Sequence, residues 1–66
     1  MEVRINVKRT GNQRGRCYAY YENEAEALER AKKIPQEIPV EEIDKLSIVT
    51  YYGNPRKRKE RILIQK

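Results

Sequence analysis

The chain has no histidine, tryptophan or phenylalanine, and only one cysteine among its 66 residues. Without histidine, the commonest general base and metal ligand is missing. Asp44 and Ser47 are the only aspartate and serine, so no nucleophile–base pair can be assembled. A zinc site would need a cluster of Cys and His. We therefore expect no enzyme, no cofactor and no metal site, but a protein that binds a partner.

One class of enzyme is compatible with these absences. Some small ribonucleases, including toxins of bacterial toxin–antitoxin pairs, can work with Arg, Lys and Tyr, and the chain contains all three. It is short for such a toxin and carries no toxin motif. Binding without catalysis remains the prediction.

The single cysteine, Cys17, cannot form a disulfide within the chain. A lone cysteine is typical of a reducing compartment, and we interpret Cys17 as a small apolar core residue. No apolar run approaches the roughly 18–20 residues of a membrane span. The first nine residues, MEVRINVKR, alternate apolar and polar side chains, unlike a signal or transit peptide. The expectation is a cytoplasmic protein without a membrane partner.

Charge is plentiful and unevenly distributed along the chain, whose net charge is +5. Residues 1–22 contain five Lys or Arg and two Glu, and residues 46–66 contain six Lys or Arg and one Glu. Residues 23–45 contain four Lys or Arg and seven Asp or Glu. Solubility alone gives no reason for this separation, so the basic ends indicate a partner of negative charge.

The N-terminal third predicts a β-hairpin. Residues 2–9 alternate β-branched and polar side chains, which is the pattern of a strand with one buried face. Residues 10–15 contain two glycines and predict a turn. Residues 16–22 form the returning strand, so residues 2–22 make the first hairpin.

Two registers are possible for the pairing of the strands in this hairpin. A two-residue turn would place Val7 opposite Tyr18 and Ile5 opposite Tyr20. A longer loop would place Val7 opposite Cys17, Ile5 opposite Ala19 and Val3 opposite Tyr21. Because a one-residue slip moves every side chain to the other face, only the second register puts Tyr18 and Tyr20 on the outer face beside Arg4 and Lys8.

The helix signal is the clearest in the chain and covers residues 23–34. Asn23 followed by Glu26 resembles a capping box. Proline disfavours a helical residue before it, so we expect Pro35 to end the helix at about Ile34. The apolar stripe is Ala27, Leu28, Ala31 and Ile34.

The C-terminal half predicts a connector and a second hairpin. Residues 35–45 form the connector, in which Pro39 suits the start of a short helical turn. The third strand covers residues 46–52, residues 53–55 form a turn, and the fourth strand covers residues 61–65. The second hairpin is thus residues 46–66.

These elements predict one domain over residues 1–66 with an α+β fold of order ββαββ. The expected architecture is a four-stranded, mostly antiparallel sheet with one helix packed on one face. The β-branched first strand belongs in the centre, which favours the strand order 2-1-3-4. We expect the two hairpin turns to lie together at one end of this sheet.

Basic and aromatic side chains near the two turns form the predicted contact surface. A basic cluster that binds nucleic-acid phosphates releases the counterions around them, which favours binding. Exposed tyrosines beside arginine can stack on bases. These residues also have ordinary structural explanations. Basic residues in a turn can increase solubility or prevent an edge strand from pairing with another sheet. Tyrosine is common in strands and can fill a small core. The predicted contact residues are Arg56, Lys57, Arg58, Lys59 and Arg61 near the second turn, Lys8, Arg9, Arg14 and Arg16 near the first, and Tyr18, Tyr20 and Tyr51 on strands.

Two kinds of partner follow from this surface. The first is nucleic acid, DNA or RNA, held by both basic turns and the open face of the sheet. The alternative is an acidic protein surface, which would make the chain a small inhibitor or accessory subunit. An exposed sheet edge would also allow a homodimer.

Overall fold

A computed structural model, which describes residues 1–53 and 57–66, shows the predicted ββαββ order. The elements are β1 (Glu2–Arg9), β2 (Arg16–Tyr21), α1 (Glu24–Glu37), a 3-10 turn (Val40–Glu42), β3 (Ile43–Tyr51) and β4 (Arg58–Gln65). The strands form one antiparallel sheet in the order β2-β1-β3-β4. The α+β fold class and the strand order are therefore confirmed.

The core lies between one face of the sheet and α1. Alternate residues of β1 point into it, as the period of two requires, and Val3 and Ile5 have no exposed surface. From α1, Ala27, Ala31 and Ile34 are equally buried. Small alanines let the helix approach the sheet closely, so a narrow stripe is enough to close this thin core.

The predicted N-terminal cap of α1 is present. The side-chain oxygen of Asn23 accepts a hydrogen bond of 2.8 Å from the backbone N–H of Glu26. This contact satisfies one of the N–H groups that have no partner within the helix. Within the described residues, no helix has both the length and the apolar composition needed to cross a membrane.

The predicted C-terminal end of α1 at Ile34 is wrong, because the helix continues through Pro35 to Glu37. Proline in the last turn removes only one backbone donor. Beyond it, the Ile38 N–H donates to the Ile34 carbonyl at 2.8 Å. The Arg30 guanidinium also lies 2.6 Å from the Glu37 carboxylate, which holds the extra turn in place.

The strands of the second hairpin are longer than predicted. β3 starts at Ile43, which has no exposed surface, rather than within the predicted strand 46–52. β4 starts at Arg58 instead of residue 61, because Tyr51 pairs with Arg58 across the sheet. The predicted turn begins at Gly53, whose φ of +65° suits glycine, and residues 54–56 lie outside the described residues.

The first hairpin follows the longer-loop register over only part of its length. Val3 faces Tyr21 and Ile5 faces Ala19, but Val7 faces Arg16 instead of the predicted Cys17. The register shifts between Ile5 and Asn6, where β2 carries one extra residue. The extra residue is Tyr18, which forms a β-bulge. Each side chain of β2 before Ala19 therefore lies on the face of the sheet opposite to the predicted one.

The two hairpin turns lie at opposite ends of the sheet, which corrects the prediction that they lie together. Glu2 pairs with Tyr51, and Arg9 pairs with Ile43. The first turn follows Arg9 and the second follows Tyr51, so antiparallel pairing of β1 and β3 separates them. At about 3.3 Å per residue, the eight residues of β1 place them roughly 25 Å apart.

Candidate nucleic-acid interface

The side of the sheet that faces away from α1 is called here the open face. It is polar at most positions, and no helix or strand of residues 1–53 and 57–66 covers it. Its side chains alternate with those of the core along each strand. They are Glu2, Arg4, Asn6 and Lys8 of β1, Cys17 and Tyr20 of β2, Lys45, Ser47, Val49 and Tyr51 of β3, and Arg58, Glu60, Ile62 and Gln65 of β4.

Tyr20, Arg4 and Tyr51 form an aromatic row across three strands of the open face. The Arg4 guanidinium carbon lies 5.4 Å from the centre of the Tyr20 ring and 4.6 Å from that of Tyr51. Both distances are within the range of cation–π attraction. Tyr20 remains 62% exposed, so the row leaves aromatic surface available to a ligand.

Glu2 fixes the position of Arg4 within the aromatic row. Its carboxylate accepts hydrogen bonds from the Arg4 side chain at 2.7 and 2.8 Å. This hydrogen bond is the largest influence on Arg4 and raises the pKa of its guanidinium. The ion pair with Glu2 and the contacts with both rings favour this arrangement of the row.

A polar groove of about 380 Å³ lies beside the aromatic row on the open face. It is lined by Asn6, Lys8, Gly15, Lys45, Ser47, Arg58 and Glu60. Three of these side chains are cationic and one is a carboxylate. The groove therefore has a net positive charge suited to an anion such as a phosphate.

Glu60 organises the base of this polar groove. It accepts hydrogen bonds from the hydroxyl of Ser47 at 3.1 Å and from Lys45 at 3.3 Å. Burial acts to raise the pKa of Glu60, but the two hydrogen bonds and the nearby positive charges outweigh it and lower that pKa. Lys45 is thus neutralised, whereas Lys8 and Arg58 form no salt bridge within the described residues.

The structure divides the predicted basic cluster of the second turn between two faces. Arg58 is on the open face, but Lys59 and Arg61 lie on the helix side, opposite Thr50 and Ile48 of β3. The reason is that these residues belong to a strand, where successive side chains alternate. Lys57 is exposed just before β4. Arg56 lies outside the described residues.

The predicted arginines of the first hairpin also fail to gather on the open face. Arg9 lies 3.0 Å from the Glu42 carboxylate, and Arg16 lines a hollow with Val7 and Ile38 of the helix side. Arg14 is exposed in the turn. Of the contact residues predicted there, only Lys8 reaches the polar groove.

Tyr18 is not on the outer face, contrary to the register that would place it beside Arg4. The bulge turns it toward α1, where its hydroxyl donates to the Glu37 carboxylate at 2.7 Å. The Arg30 guanidinium carbon lies 5.6 Å from its ring centre. The hydrogen bond to Glu37 raises the pKa of Tyr18, and the hydrogen bonds from Arg30 and Tyr18 lower the pKa of Glu37.

Cys17 takes the place on the open face that was predicted for Tyr18, and its interpretation as a core residue is wrong. The bulge exposes it to solvent. Its thiol contacts the Ala19 carbonyl at 3.6 Å. The nearby Cys17 thiol raises the pKa of the Tyr20 hydroxyl, so Cys17 flanks the aromatic row.

Several open-face residues were not among the predicted contacts. The alternation of β1 already placed Arg4 outside, which was a usable signal. Lys45 was missed because it was assigned to the connector, and Glu60 because the fourth strand was predicted to begin one residue later, at Arg61. Within the described residues, no three His, Cys, Asp or Glu side chains are grouped so that they could hold a metal ion.

Comparisons of the chain with protein-family models, with curated proteins and with solved structures gave no match. The assignment of function therefore depends on the geometry and charge of the open face.

Proposed function

We propose that this protein binds single-stranded nucleic acid on the open face of its sheet. The observation that carries the proposal is the aromatic row lying directly beside a cationic groove. Proteins that bind single strands combine these two features, since bases stack on aromatic rings while basic side chains follow the phosphates.

The aromatic row supplies the stacking surface. The Arg4 guanidinium lies against both rings, and Tyr20 is largely exposed, so a base can stack on the uncovered surface of Tyr20, whereas Tyr51 is half-buried. Every base has a π-face, which makes such stacking tolerant of sequence. The expected binding is therefore weakly dependent on base identity.

The polar groove supplies the phosphate contacts. Lys8 and Arg58 line it without a salt-bridge partner among the described residues. An arginine or lysine that has no salt bridge can bind phosphate oxygens without first breaking an ion pair with a carboxylate. Lys45 contributes less, because Glu60 already compensates its charge.

The shape of the sheet favours a single strand over a duplex. Four strands spaced by about 4.8 Å give a face roughly 14 Å across, whereas the major groove of B-DNA is about 12 Å wide and admits a two-stranded ribbon. The hairpin turns lie at opposite ends of the sheet. They therefore do not form the paired basic tips that would straddle a duplex.

The test is a fluorescence-anisotropy titration at low salt with labelled single-stranded DNA and RNA and the matching duplexes. Replacing both Tyr20 and Tyr51 with Ala should weaken single-strand binding by about 1–3 kcal/mol per stacked base. The control is Tyr52→Ala, which removes an exposed tyrosine just past the end of β3. Tighter binding of the duplex, or equal losses in both variants, would contradict the proposal.

A further inference from the structure

A second groove lies on the other side of the sheet, between α1 and the edge strand β4. The helix packs mainly over β3, β1 and β2, so the helix side of β4 stays partly open. Leu28 and Pro35 form the helix wall of this groove, and Leu63 and Ile64 form the strand wall. Its volume is about 310 Å³, enough to accept apolar side chains from a partner.

Two features of β4 make this groove accessible to an extended segment. β4 is an edge strand, and no strand of the described residues pairs with its outer side. The register shift between Leu46 and Ser47 directs both Leu63 and Ile64 toward the core side. The regular part of β4 before Leu63 thus offers free backbone hydrogen-bonding groups next to an apolar hollow.

The charges around the groove identify the chemistry of its occupant. Lys32 and Arg61 line it, and Lys59 lies on the same side of β4. None of the three forms a salt bridge within the described residues. A groove with apolar walls and cationic side chains at its edge is complementary to a segment that alternates apolar and acidic side chains.

A second copy of this chain fits the groove poorly. Its own edge strand would bring Arg58, Lys59 and Arg61 against the same residues, with only Glu60 to compensate them. Like charges brought together at an interface oppose association. The charge of β4 therefore selects a different chain with acidic residues.

We propose that this groove docks an extended acidic and apolar segment of a protein partner along β4. Apolar side chains of the segment fill the hollow beside Leu63, and its carboxylates pair with Lys32 and Arg61. The site lies on the opposite side of the sheet from the open face. It therefore stands whether or not the open face binds nucleic acid.

The experiment is an NMR titration of the full chain with a synthetic peptide of alternating Glu and Leu. Signals of Leu28, Leu63 and Ile64 should shift, and those of Tyr20 and Tyr51 should not. Lys32→Glu and Arg61→Glu should each weaken peptide binding roughly fivefold or more. Lys33→Glu is the matched control, because Lys33 is exposed on the same helix but does not line the groove.

Several results would overturn the proposal. These are no binding at low salt, equal binding of an alternating Lys and Leu peptide, or equal losses in the Lys32→Glu and Lys33→Glu variants. A dimer in light scattering that competes with the peptide would identify a second copy as the occupant instead. Displacement of the peptide by a single-stranded oligonucleotide would show that the two surfaces are not separate.

Discussion

At the scale of single residues, Ser47 shows how a buried polar group organises the open face. It is 1% exposed on the side of the sheet that faces solvent, because long neighbouring side chains lie over it. Its hydroxyl donates to Glu60, which also binds Lys45. Ser47 and Lys45 therefore share the Glu60 carboxylate in the groove.

Removing this hydroxyl gives a direct prediction. Ser47→Ala should destabilise the fold by about 0.5–1.5 kcal/mol, the usual net contribution of one hydrogen bond. It should also raise the pKa of Glu60, since one of the hydrogen bonds that lower it is lost. Urea denaturation and NMR titration of the Glu60 carboxyl measure the two effects. An unchanged pKa in the variant would show that Ser47 does not act on Glu60.

At the scale of elements, the sequence predicted what local patterns determine. The alternation in β1 and the Asn23 cap of α1 were readable because each depends on neighbouring residues. The bulge at Tyr18 was not, since it arises from pairing with β1 and from the hydrogen bond between Tyr18 and Glu37. The end of α1 was missed because Pro35 was expected to stop the helix, whereas Arg30 of the same helix and Tyr18 of β2 both hold Glu37.

Two carboxylates tie these elements together and make stability depend on pH. The pKa values of Glu37 and Glu60 are both lowered in the folded chain. A lowered folded pKa adds stability above the unfolded pKa, near 4.5. That stability is lost as the pH falls below this value toward the folded pKa.

The prediction is a loss of stability in acid that depends on these two residues. Urea midpoints measured from about pH 7 to about pH 3 should fall mainly below about pH 4.5. Glu37→Gln and Glu60→Gln should each reduce this fall, because glutamine does not titrate. Glu29→Gln, at an exposed helix position without a salt bridge among the described residues, is the control. A curve in either test variant that matches the control would contradict the assignment.

At the scale of the whole molecule, the predicted strand order is correct, but the predicted placement of both turns at one end of the sheet is wrong. An order in which β1 pairs antiparallel with β3 necessarily separates the two hairpin turns. Of the predicted contact surface, which combined both turns and the open face, the open face is the part that stays together. Lys8 and Tyr20 lie on that face, as the longer-loop register predicted, whereas Arg58 was predicted in the turn and reaches the open face as part of β4.

With a net charge of +5, the proposed nucleic-acid binding should weaken as the salt concentration rises, and the positions of the charges should matter as well. For single strands, each neutralised phosphate contributes about −0.7 to the slope of log K against log salt. Replacing both Lys8 and Arg58 with Gln should make the slope of log K against log salt less negative by about 1.4. Replacing both Lys32 and Lys33 with Gln removes the same charge from the other side, and it should leave the slope nearly unchanged. Equal changes would indicate nonspecific attraction.

Binding of single-stranded nucleic acid to the open face can be tested by NMR mapping of an oligonucleotide on the uniformly labelled protein at low salt. The largest shifts are expected at Tyr20, Tyr51, Lys8 and Arg58, which share the open face. Small shifts are expected at Arg14, in the first hairpin turn. Shifts confined to the turns or to α1, or no shifts at saturating oligonucleotide, would contradict binding at the open face.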